Sequence, residues 1–338
     1  MSYAQKVAEQ IEQYADTAVL KGLPEIYKYW SQTYLRPALE EVFGSGNIYQ
    51  IYAEEIAGAI ERTGNGRILS IGSGDCNHEV EVAKALTDRG LGGRFTLVCT
   101  ELSELRLQRG RELARRENVL DSLEFRVVDV NDWSHSERYG FVFAQHTLHH
   151  IVELERLFDQ VDVVLEPDGT FFTIDMIGRN GHMRWPEVLD WVNLIWRYMP
   201  ERYRFNHQFE ARHDEYLNWD CSVSGFEGIR AEDILPLLVE RFDFARFHAC
   251  GGVEEVFVDR GYGHNLSIDR DEDRRFIDMV HALNEWLLDN GRIKPTMVFA
   301  SMRRKGLSPP PVTRTFRNRL PADAVRPVEP LAPATTDS

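Results

Sequence analysis

A glycine pair brackets a serine at Gly72-Ser73-Gly74, directly after the apolar run RILSI of residues 67–71 and ahead of a helical pattern that begins near His78. With no Cβ at either glycine, the backbone can approach a ligand closely and enter the positive-φ region that a tight turn needs. The turn therefore either cradles a nucleotide-like group or simply joins a strand to a helix. Glu101, 27 residues after Gly74, closes the second apolar run, where an acid can accept hydrogen bonds from ribose hydroxyls. The third run ends in Val128-Asp129-Val130-Asn131-Asp132; Asp129 can accept from an adenine amino group, or the acids cap the following helix. The fourth runs into Gln145-His146-Thr147-Leu148-His149-His150, and the fifth ends at Asp175. A near-neutral imidazole or a carboxylate is the group that removes a proton from a hydroxyl or ammonium nucleophile, so His146 and Asp175 are candidate bases. Asp175 reads equally as a cap on its own loop, and His149 and His150 as the opening of the next helix.

All these residues sit at the carboxyl ends of apolar runs, and that placement needs a parallel sheet. The runs at 67–71, 95–100, 123–128, 139–144 and 170–175 alternate with helical patterns at 79–88, 102–117 and 154–165. Strands linked by crossover helices pair in parallel and present their carboxyl ends on one edge, where ligands bind. A helix at 231–241, a strand at 244–249, a long helix at 271–289 and a last strand at 296–302 would close the sheet. Upstream, Val7, Ile11 and Tyr14, then Tyr49, Tyr52, Ile56 and Ile60, repeat with a helical period. The expected architecture is α/β: a doubly wound, mostly parallel seven-stranded sheet formed by residues 63–177 and 231–305. A helical cap at 1–62, an aromatic-rich helical lid at 178–230 and a disordered tail at 306–338 complete it; that tail holds seven of the fourteen prolines.

The lid occupies the place where a cover over the strand ends belongs. Its cations and rings, with Trp185 and Arg204 among them, could clamp an anion, stack on a planar acceptor or pack the lid's own core. A second segment, residues 258–265, is polar and carries two glycines; Tyr262, His264 and Asn265 are its candidate substrate contacts, alongside His149, and His264 is a further candidate catalytic group.

The net charge of −15 opposes binding to a phosphate backbone, so the expected partner is a small molecule rather than nucleic acid. No run of about 18 apolar residues is present, and the four cysteines are far apart, without a CxxC pair, so a cytoplasmic protein without membrane contact is expected. His146, His149, His150 and His264 could converge with Asp175, but their spacing matches no closed zinc site and no metal is expected. A homodimer is possible on this reading.

In its order of motifs the chain resembles the class I S-adenosylmethionine (SAM) dependent methyltransferases over residues 64–177 and 231–303. The resemblance implies SAM as cofactor: Gly72 and Gly74 beneath its methionine part, Glu101 on the ribose, Asp129 with Val130 at the adenine, and Ser70 and Gln145 nearby. Two positions depart from that pattern, Ser70 where an acid is often found and Cys76 at the third glycine position. The absent third glycine also argues against a dinucleotide enzyme. What is implied is methyl transfer to O, N or C of a small metabolite, plausibly in secondary metabolism. SAM chemistry of another kind, such as aminocarboxypropyl transfer, and a non-catalytic binding role stay open.

Overall fold

Eight strands form one sheet in the order β10 (Arg314–Thr315), β8 (Phe242–Cys250), β9 (Met297–Arg304), β5 (Leu165–Met176), β4 (Tyr139–Gln145), β1 (Arg67–Ile71), β2 (Thr96–Glu101), β3 (Leu123–Val127), in a computed structural model that describes residues 22–133, 136–223, 225–306 and 310–327. β1 (Arg67–Ile71), β2 (Thr96–Glu101), β3 (Leu123–Val127), β4 (Tyr139–Gln145) and β5 (Leu165–Met176) pair in parallel. β9 (Met297–Arg304) then runs antiparallel between β5 and β8 (Phe242–Cys250). The strand order reverses at β1 and β4, which is where a doubly wound sheet opens a ligand crevice.

Alternation along the strands feeds two apolar layers. Ile68, Phe141, Phe143 and Phe172 face one side, and Leu69, Val142, Ala144 and Phe171 the other. Because both faces are covered, these strands read as nearly continuous apolar runs. The first layer is closed by α1 (Glu25–Trp30), α2 (Arg36–Phe43), α3 (Ile48–Thr63), α4 (Asn77–Leu86) and α5 (Glu104–Arg116). On the second side lie α6 (Leu154–Val164) and, after the insertion, α8 (Ala231–Arg241). Asn47 caps α3 by accepting from the Tyr49 and Gln50 amides, and Gly64 ends it at φ +68°. Tyr52, Ile56 and Ile60 of α3 are buried against the sheet, so this helix is a layer of the core rather than a cap upon it. Val7, Ile11 and Tyr14 lie outside the described residues.

The expected lid contains one sizeable helix, α7 (Pro186–Tyr198), and a hairpin of β6 (Phe205–Asn206) and β7 (Ala211–Arg212); the rest is irregular. The short helix α9 (Glu255–Val258) leads to the polar segment, and α10 (Asp271–Asp289) packs beyond it.

Two expectations need correction. The sheet has eight strands, not seven, because β10 (Arg314–Thr315) adds in parallel to the edge of β8. Residues 310–327 are accordingly not a disordered tail. Arg319 pairs with Glu285 and Asp289 on α10, and the short helix α11 (Pro321–Ala324) follows. Arg326 then pairs with Glu187 and lies 4.3 Å over the Trp185 ring. Proline-rich composition lowers the capacity to build a core, but it does not prevent arginines from docking onto an acidic helix.

Candidate active site

One cavity of about 1080 Å³ lies along the carboxyl ends of β1, β2, β4 and β5 and extends beneath the insertion. Its cofactor half is built by the glycine turn. Gly72 and Gly74 adopt φ +70° and +56°. A Cβ on Gly72 would stand 2.3 Å from Thr147 Cγ2, and one on Gly74 would stand 2.4 Å from Arg106 Nη2. Glu101 fastens the turn, accepting from the Gly74 amide at 2.9 Å and the Ser103 amide at 3.1 Å. It still borders the cavity, as do Asp129, Val130 and Gln145. Asp129 accepts from the Asn131 amide, and Gln145 is held by the Tyr52 hydroxyl at 2.7 Å.

Ser70 does not line the cavity; it is buried and donates to Glu79 at 2.6 Å, while Ser73 donates to Ser70 at 3.0 Å. A carboxyl thus stands behind the glycine turn after all, supplied by α4 instead of β1. Burial pushes the Glu79 carboxyl up to about 7.

These features test whether SAM fits. Two positions of the turn have room only for glycine, a carboxylate bordering the cavity stands at the end of β2, and a second carboxylate with an apolar neighbour stands after β3. Arg106 adds a cation near the acids, 3.6 Å from Asp75 and 4.0 Å from Glu101. The residues fit the group.

Past the end of β4 the chain turns through His146 at φ +49°, which directs that side chain into the cavity. His146 is accessible to that cavity, yet the protein around it desolvates the ring and lowers its pKa, so the imidazole is neutral. Asp175 is fully buried and does not border the cavity. One of its oxygens accepts from the Thr147 and Leu148 amides, each at 2.8 Å; the other meets His149 Nδ1 at 2.5 Å and the Met176 amide at 2.8 Å. It is therefore a positioning group rather than a base that touches substrate. His149 lines the cavity, and its Nε2 lies 3.4 Å from Glu227 Oε1. Burial alone would depress His149, but the Asp175 and Glu227 carboxylates push it up to about 10.

The far wall comes from the insertion and the polar segment. Tyr262 borders the cavity as expected, with its hydroxyl 2.9 Å from His213 Nδ1 and its ring against Trp196. Arg184 is buried and ion-paired to Glu255; Arg260 presents a buried Nε without a hydrogen-bond partner among the described residues. Phe209 and Trp219, 46% and 50% exposed, contact edge to face at the cavity rim.

Besides Ser70 and Asp175, four expected residues do not reach this space. His264 is exposed and contacts the Gly22 carbonyl. Asn265 ties the polar segment to the insertion by donating to the Tyr203, Phe205 and Tyr262 carbonyls. Arg204 donates to the Met199 and Arg197 carbonyls at the end of α7, as a cation near a helix carboxyl terminus does. Trp185 lies under Arg326. Sequence reasoning missed Arg106, His182, Arg184, Glu227 and Arg260, all of which border the cavity. Arg106, five residues after Glu101 in the first turn of α5, is the one a closer reading of the strand end would have found; the others lie in stretches without periodicity.

Comparison with known proteins bears on this site. Residues 69–173 match the family described as "Methyltransferase domain". No curated protein matches the chain. Among solved structures, the [4+2]-cyclase SpnF is 13% identical, with 84% of this chain and 99% of that chain covered and a TM-score of 0.41. The mitomycin 7-O-methyltransferase MmcR is 14% identical, over 90% of this chain and 69% of the other, with a TM-score of 0.41. An O-methyltransferase from a trans-AT PKS multienzyme of Brevibacillus brevis, solved with S-adenosyl-L-homocysteine, is 12% identical over 74% and 72% of the two chains, again at 0.41.

Proposed function

We propose that this chain, whose residues 69–173 match a methyltransferase domain, uses SAM to transfer a methyl group to a nucleophilic O, N or C atom of a small metabolite seated between His146 and the insertion. The observation that carries this reading is the continuity of the cavity: one space of about 1080 Å³ joins Gly74, Glu101 and Asp129 to Phe209, Trp219 and Arg260. Single-ligand pockets run roughly 300–1,000 Å³, so this volume suits a cofactor with a small acceptor.

SAM, when bound, supplies an electrophilic methyl on a sulfonium. The chain's own residues do the rest. Glu101 and Asp129 hold the nucleoside end, and the glycine turn sets its depth. Methyl transfer is an in-line displacement, so alignment and exclusion of water carry most of the catalysis. Phe209 and Trp219 cover the mouth with apolar surface, and Tyr262 closes the wall. His146, kept neutral by desolvation, accepts the acceptor's proton at an imidazole nitrogen. The half-buried Arg260, with its Nε lacking a hydrogen-bond partner among the described residues, favours an acceptor that carries a carboxylate or another anionic oxygen.

The test is isothermal titration with SAM and S-adenosylhomocysteine, followed by incubation of the SAM complex with small hydroxy- and amino-acid or phenolic acid acceptors under mass detection. Micromolar binding and an acceptor gaining one methyl as S-adenosylhomocysteine appears are the expected results. Absence of binding by either nucleoside would end the reading.

A further inference from the structure

His149, His182 and Glu227 meet on the acceptor side of the cavity, and nothing in the cofactor half requires them. The Nε2 atom of His182 is 2.8 Å from Glu227 Oε1, and that of His149 is 3.4 Å from the same oxygen. One ligand atom from each residue lies within 4.8 Å of the other two. We propose that these three side chains bind a divalent first-row transition cation, with its remaining coordination positions open to the acceptor.

Four features support the assignment. First, neighbouring donors around an ion with bonds of about 2.1 Å stand roughly 3.0–3.4 Å apart. The His149–Glu227 edge, 3.4 Å, already has that spacing; the His182–Glu227 edge, 2.8 Å, must open by a few tenths of an ångström, and the histidine–histidine edge lies within 4.8 Å. Second, two imidazoles and one carboxylate form a donor set for zinc, iron or manganese, whereas calcium and magnesium take oxygen ligands. Third, Asp175 holds His149 by Nδ1 at 2.5 Å, leaving Nε2 directed at the cluster, where the cation takes the place of the Nε2 proton and releases it to solvent. A carboxylate behind a ligating histidine fixes its tautomer and orientation in this way. Asp175 is itself fixed by the amides of Thr147, Leu148 and Met176. Fourth, the backbone is bent to bring the ligands together. His182 adopts φ +54° and Gly181 +69°, and the Gly181 amide donates to the Gly228 carbonyl at 2.8 Å. That bond ties the segment of His182 to the segment of Glu227. A non-glycine residue in the left-handed region is strained and persists where surrounding structure holds it.

The ligands are separated by 33 and 45 residues, taken as 149 to 182 and 182 to 227, so no linear motif announces them. The cation would bind a hydroxyl or carboxylate oxygen of the acceptor and, as a Lewis acid, favour the deprotonated nucleophile. That use of the site rests on the methyltransferase reading; the cation site itself does not.

The test uses the full chain without an affinity tag, stripped with chelator and exchanged into metal-free buffer. Cobalt(II) is titrated while the visible ligand-field bands are recorded, zinc binding is measured by calorimetry, and S-adenosylhomocysteine affinity is measured on the same stripped protein. The expected result is one equivalent bound per chain with a dissociation constant of about 10 µM or tighter. His182→Ala and Glu227→Gln should each weaken cobalt binding at least about tenfold while changing S-adenosylhomocysteine affinity less than about twofold. Wild-type protein that gives no cobalt bands and no zinc heat at ~100 µM metal, yet binds S-adenosylhomocysteine, would overturn the cation site alone. Unchanged cobalt binding in both variants would overturn it as well. Failure to bind S-adenosylhomocysteine would count against the methyltransferase reading instead, independently of the metal result.

Discussion

Glu79 offers the most quantitative test of how the glycine turn is supported. Its carboxyl is 2% exposed, accepts from the Ser70 hydroxyl, and has its pKa pushed by burial from 4.5 to about 7. Because the folded state holds the proton more tightly than the unfolded chain, this group's contribution is fully present below about pH 4.5 and is lost as pH rises through about 7. A rise from 4.5 to about 7, at about 1.4 kcal/mol for each tenfold change in proton affinity, corresponds to a cost of ~3.4 kcal/mol at high pH. Between about pH 5.5 and pH 8.5 the change is ~2 kcal/mol. Glu79→Gln keeps an acceptor for Ser70 and removes the titration. Urea unfolding of both proteins at these two pH values should show the variant gaining ~2 kcal/mol on the wild type as the pH rises, or roughly 3 °C in a thermal midpoint. The absolute stabilities are free to differ by a constant; only the pH-dependent part is read. A stability difference that is the same at both pH values would mean that the carboxyl is ionised throughout and that its burial has been misjudged.

Glu101→Ala should weaken SAM and S-adenosylhomocysteine binding about 10- to 100-fold by calorimetry, the value of one to two charge-assisted hydrogen bonds; unchanged affinity would place the ribose elsewhere. Gly74→Val puts a branched side chain at φ +56° against the Arg106 guanidinium. The circular dichroism spectrum should be retained and S-adenosylhomocysteine affinity should fall more than about tenfold, whereas normal binding would remove the argument from the glycines. Arg319→Ala leaves Glu285, 6% exposed, with a 3.7 Å contact from Arg317 as its remaining ion pair among the described residues. It should cost about 2 kcal/mol in urea unfolding and leave nucleoside binding intact; no loss of stability would show that the docked segment holds nothing in place.

The alternation of apolar runs with helical periods marked five parallel strands and the closing pair, because strand and crossover geometry are written in local periodicity. Helices at 231–241 and 271–289 were legible to the residue, since each carries a full apolar stripe. Gly72, Gly74, Glu101, Asp129, Gln145 and His146 were also legible, as a strand's carboxyl end fixes where its last residues stand whatever lies above them.

What the sequence left open depends on contacts between distant segments. Asp175 sits at the end of β5 as expected, but whether it faces substrate or turns inward depends on the amides of residues 147 and 148, which only the β4–β5 pairing brings to it. Glu79 takes over behind the turn because α4 returns beneath β1. The insertion has no period to read, so its path, and with it the meeting of His182 and Glu227 with His149, is decided by tertiary packing. Likewise Trp185, His264 and Asn265 have the chemistry of ligand contacts but are taken up by Arg326, by Gly22 and by neighbouring carbonyls. Sequence determined the sheet and the edge on which chemistry occurs, because these follow from local pattern. The tertiary structure alone decided which polar groups spend their hydrogen bonds on the protein and which remain directed at a ligand.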